Sequence, residues 1–157
     1  MTTAVQTGPS KNVSVTVLGF LTMLWGIVHT TLGVYLLFVG KALTSSLQKG
    51  DLQGVIAVVG FLAAIYVIGI GVASVAAGIL GMLAGLGVLW RKQWGRILTV
   101  IVAVLALIWS LAFLDAYIQD ADGKVFMIAF GAAELLYGIV AVVLAIKNGS
   151  AFSRSRI

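Results

Sequence analysis

The chain has no cysteine, one histidine, one proline and one glutamate. Without cysteine there are no disulfides, thiolate metal sites, iron–sulfur clusters or cysteine nucleophiles. His29 and Glu134 alone are too few ligands for a protein-only metal centre. The proline is Pro9, in the polar head MTTAVQTGPSKN, so no apolar segment carries a proline kink. Charge is scarce as well. Charged residues are 10% of the chain and hydrophobic residues 61%, where soluble domains carry about 25% charge. So few charges cannot cover such a core in water, and the composition demands a lipid bilayer as solvent.

Enzyme chemistry is equally thin. No Ser/His/Asp spacing converges, no Walker loop is present, and no carboxylates pair at membrane depth. The Gly-rich pieces GIG and GLG have no preceding strand and no polar loop around them, so they do not read as phosphate loops. The chain is expected to be neither an enzyme nor the holder of a resident cofactor.

What is present is apolar length. A membrane helix needs about 20 mostly apolar residues, and four segments qualify, at about 13–40, 68–90, 97–118 and 125–146. The first is too long for the apolar core of a secretory signal and reads as a retained span. The polar stretches between them are KALTSSLQKGDLQ, RKQWGR and QDADGK. The uncharged run 54–90 is too long for one span and too short for two. Residues 51–66 are therefore expected to form a short outer helix, lying in the interface or packed on a neighbour, with a bend at Gly69-Ile70-Gly71. The alternative is an extended helix continuous with the second span. The fold class is all-α, an integral membrane four-helix bundle in a single domain, 1–157.

Basic residues concentrate on the side that holds Lys11, Arg91, Lys92, Arg96, Lys147, Arg154 and Arg156, with no acid among them. The other side holds Lys41, Lys49 and Lys124 with Asp51, Asp115, Asp120 and Asp122. That bias puts both termini in the cytoplasm. Arg91, Lys92 and Arg96 are topology signals first and contacts for anionic lipid second. Trp90, Trp94 and Tyr117 sit where aromatic side chains anchor at the interface. The net charge of +5 is thereby explained without nucleic acid.

Small residues recur every seven positions: Gly19, Gly26, Gly33 and Gly40; Gly71, Gly78 and Gly85, continuing back through Ala64 and Ala57; Gly131, Gly138 and Ala145. Seven residues are two helical turns, so each series makes one stripe. Such stripes let helix backbones approach closely in lipid. Three residues after a stripe glycine comes a polar group: Gly26 and His29, Gly71 and Ser74, Gly131 and Glu134. Glu134, inside FGAAELLYG, therefore belongs to a tight seam rather than a lipid face. His29 and Glu134 stand at similar depth and are expected to meet at the bundle centre, with Thr22, Thr30, Ser74 and Tyr137 as further candidates. A polar clamp that fixes helix register is the favoured role, and a proton or cation relay the sharper one. Trp25-x-x-x-His29 also has the form of a macrocycle ligand site, a weaker reading.

The stretches AGLGVLWRKQWGRILTVIVAVLAL and LTMLWGIVHTTLGVYLL resemble a broad group of small bacterial four-helix membrane proteins. Trp90, Arg91, Lys92, Trp94, Gly95 and Arg96 carry the resemblance. It implies a four-span fold and a bacterial inner-membrane location, and brings no catalytic residues. The run 54–66 departs from that pattern. With little chain outside the bilayer, the partners expected are lipid, further copies of the chain and other membrane subunits. The function expected is structural or accessory, with a small proton or cation channel using Glu134 and His29 as the alternative.

Overall fold

The computed structural model describes residues 13–49, 55–118, 124–149 and 152. They form α1 (Val13–Lys49), α2 (Val55–Leu89), α3 (Gln93–Ile118) and α4 (Lys124–Lys147). All four helices are long and apolar enough to cross a membrane. In hydrocarbon no water can take up a backbone N–H or C=O, so an apolar run without proline satisfies those groups as helix.

Two helices are longer than the sequence suggests. The stretch from Lys41 to Lys49 reads as polar linker, yet α1 continues through it. Its hydroxyls turn back onto the helix: Thr44 Oγ1 donates to the Gly40 carbonyl, and Ser45 and Ser46 Oγ both donate to that of Ala42. Polarity there does not end the helix, because these bonds run along it. The helix also does not break at Gly69-Ile70-Gly71, since α2 is one α-helix of 35 residues. The continuous alternative describes residues 55–66, while 51–54 lie outside the described residues. Glycine weakens a helix but does not break its hydrogen-bond ladder.

Chain contacts divide the protein into two units. One is Thr22–Leu83, an antiparallel hairpin made of most of α1 and α2. Its arms touch through their glycines. A methyl group on Gly33 would lie 2.6 Å from the Val75 nitrogen and 2.7 Å from the Gly71 carbonyl oxygen. One on Gly26 would lie 2.6 Å from the Gly78 carbonyl oxygen. Seven residues forward on α1 match seven back on α2, the period of a left-handed coiled pair. The register continues outward, with Gly40 against Ile68 and Leu47 against Gly60.

The other unit joins Met1–Leu21 with Ala84–Ile157. Here Gly19 meets Gly85 and Leu89, and Gly138 meets Ala103 and Leu107. Its core is Val15, Leu18, Val88, Ala103, Ala141, Ala145 and Phe152. Phe152, just beyond α4, is 2% exposed. A large aromatic side chain is thus sunk among small ones at this end of the unit. The turn from α2 to α3 is tight: the N–H of Lys92 donates to Gly87 and that of Arg91 to Val88. This is the Schellman pattern, with Arg91 at φ 56 in the left-handed position that glycine usually fills. Beyond it Gly95 lies against the Gly87 backbone and the Trp94 ring covers Gly87.

Candidate functional site

Every candidate polar residue in the spans is buried or half-buried among apolar neighbours, and each unit holds its own set. In the hairpin, Thr22 and Ser74 are buried, and His29 is 4% exposed. The His29 ring stacks on Trp25, with centroids 3.8 Å apart and planes 24° from parallel. His29 Nδ1 lies 3.2 Å from the carbonyl oxygen of Trp25. A carbonyl only accepts, so Nδ1 carries the hydrogen in this bond. Thr30 Oγ1 donates to the Gly26 carbonyl at 2.9 Å and also faces Gly78. His29 and Thr30 thus each bond one turn back along α1, beside the glycine stripe.

In the other unit α3 packs on α4. Gly138 against Ala103 and the Arg96 bond to Ala145 fix one antiparallel register. That register brings Ser110 level with residues 131–135. Thr99, Ala103, Ala106 and Ser110 are buried on α3, and Gly131, Glu134, Gly138, Ala141 and Ala145 on α4. Both sets follow the alternating four–three spacing of a helix seam. Glu134, 4% exposed, is buried on α4 between Gly131 and Gly138. Tyr137 is half-buried and packs against the core of the same unit.

His29 belongs to the hairpin and Glu134 to the second unit. Among the described residues, no group of three or more His, Cys, Asp or Glu side chains is placed to hold a metal ion. The stripe residues Gly19, Gly26, Gly33, Gly71, Gly78, Gly85, Gly131 and Gly138 are all buried.

The basic corner is built at the α2–α3 turn. Trp90, Lys92 and Trp94 are exposed there, and Arg91 is half-buried. Arg96 is used differently from its neighbours. Its Nε donates to the Ala145 carbonyl at 2.9 Å, and its guanidinium lies against Gly149. It therefore caps the C-terminal end of α4, where helix carbonyls lack intrahelical donors and a cation is favoured. Asn148 Nδ2 joins it by donating to Leu144. Sequence reasoning missed this cap, together with Phe152 and the buried Thr99. An arginine in the first turn of one helix looks like any interfacial cation until the end of the other helix is placed beside it. Lys11, Asp51, Asp120, Asp122, Arg154 and Arg156 lie outside the described residues.

Comparison with protein-family models, with curated proteins and with solved structures gave no match to this chain in any of the three.

Proposed function

We propose that this is an integral membrane protein, non-enzymatic and structural or accessory in role, that assembles laterally with copies of itself or with other membrane subunits. Its setting is the bacterial inner membrane, with N- and C-termini cytoplasmic and the Arg91–Arg96 corner at the inner surface. The glycine stripes do not support this reading, because the described ones are consumed within the protomer. Its support is a mismatch at the outer end of the hairpin. There α1 presents Lys41, Ser45, Ser46 and Gln48 to its surroundings. Directly alongside, α2 exposes an almost wholly apolar surface from Ile56 to Tyr66. Hydrocarbon suits the second surface and not the first.

Length sharpens the point. At 1.5 Å per residue α2 is ~52 Å long, against a hydrocarbon core of ~30 Å. Even at ~40° tilt, the upper end of the usual range, it still spans ~40 Å. Part of its apolar surface therefore needs cover that lipid tails do not give. The test is sedimentation equilibrium in density-matched detergent. Assembly predicts a protein mass that is a multiple of 16.4 kDa or that includes a second subunit. A lone protomer at all concentrations contradicts it.

The burial of both His29 and Glu134 favours a second reading, a small proton or cation channel or transporter that uses these two groups. Flux through liposomes that is lost in Glu134→Gln while assembly is kept would support it. Equal flux from both proteins would remove it.

A further inference from the structure

We infer that the outer part of α2 is a homotypic interface: the ridge Val58, Phe61, Leu62 and Ile65, flanked by Val59 and Tyr66, packs against the same ridge of a second copy of this chain. This rests on the lateral-assembly reading and names its surface and its partner. The four ridge residues follow the i, i+3, i+4, i+7 spacing of one helix face. The opposite face is already used, because Gly60 meets Leu47 there and Ala64 is buried. All six side chains are more than half exposed, from 51% at Ile65 to 71% at Tyr66.

Three observations point to a second copy. The first is area. Aromatic side chains bury 150–250 Å² and aliphatic ones somewhat less, so six at these exposures offer roughly 700 Å². A stable interface takes about 800 Å² from each partner, so the ridge supplies most of one side. The second is charge. The ridge carries none, so two copies meet without opposing like charges, as a self-complementary two-fold contact requires. The third is height. Copies inserted in one orientation hold this band at the same level, so ridge meets ridge with no further adjustment. Lipid is the weaker occupant, since Lys41 and Gln48 are exposed on α1 at this level.

The chain has no cysteine, so single-cysteine variants can be oxidised in the native membrane without background. Leu62→Cys and Ile65→Cys should give a covalent species of twice the chain mass. Gln48→Cys, on the polar side of the hairpin, and Ala64→Cys, under α1, should not. Leu62→Arg adds an independent test. Leu62 is exposed in the protomer, so this variant should fold with unchanged helix content and purify as a smaller assembly. Cross-linking as strong at Gln48 as at Leu62, or a Leu62→Arg protein of unchanged mass, overturns the inference. A homo-oligomer without cross-links at Leu62 and Ile65 overturns this interface and leaves lateral assembly standing. Protection of the ridge by a different subunit overturns the second copy as occupant. A monomer overturns both readings.

Discussion

Gly33 and Gly71 lie backbone to backbone across the hairpin, so close that a methyl on Gly33 would sit 2.7 Å from the Gly71 carbonyl oxygen. That distance is well inside van der Waals contact, and its neighbours are backbone that cannot swing away. Gly33→Ala is expected to destabilise the hairpin by about 1–3 kcal/mol, the usual cost of overpacking. Thermal unfolding in detergent measures it. An unchanged midpoint would mean that the arms are not held at this separation.

Gly69 is the internal control. A methyl there meets nothing within 4 Å, and alanine is the better helix former by about 0.5–1 kcal/mol. Gly69→Ala should leave the midpoint unchanged or raise it. A loss comparable with Gly33→Ala would restore the bend that the sequence suggested at this position.

Arg91 holds a left-handed backbone conformation at φ 56, which costs a non-glycine residue roughly 1–2 kcal/mol. Arg91→Gly relieves that strain but adds about 0.5–1 kcal/mol of backbone entropy cost, so the net gain in stability should be at most about 1 kcal/mol. The positive charge of Arg91 is lost in the same change. Binding to vesicles rich in anionic lipid, measured beside the melting curve, separates the two effects.

The Arg96 bond to Ala145 and the burial of Phe152 close the same end of the second unit. Phe152→Ala removes a fully buried aromatic ring and should cost about 3–5 kcal/mol. Arg96→Met keeps the apolar stem and loses a charge-assisted hydrogen bond, for about 1.5–3 kcal/mol. Protease digestion should cut the C-terminal segment sooner in both variants. Wild-type protection in either variant would show that the clasp is not formed.

Much of this was legible in the sequence. The seven-residue glycine series by itself marks the contact faces of α1 and α2, because small residues at that period leave a groove only on one side of a helix. The spacing of Glu134 between Gly131 and Gly138 puts it on the same helix face as those glycines, and all three are buried. The ends of helices were less legible. Thr44, Ser45 and Ser46 read as linker but bond to their own helix, and Gly69-Ile70-Gly71 reads as a bend but carries an unbroken ladder. Contacts distant in sequence, such as Arg96 with Ala145 and Phe152 with the core that holds Leu18, left no local signal. Their residue types are common at membrane interfaces, and only the fold gives them partners.

Native mass spectrometry of the protein released gently from its own membrane tests the central claim most directly. Lateral assembly through the α2 ridge predicts a fixed number of copies in one complex, reduced by Leu62→Arg. A single chain bearing only lipid, in wild type and variant alike, would contradict it.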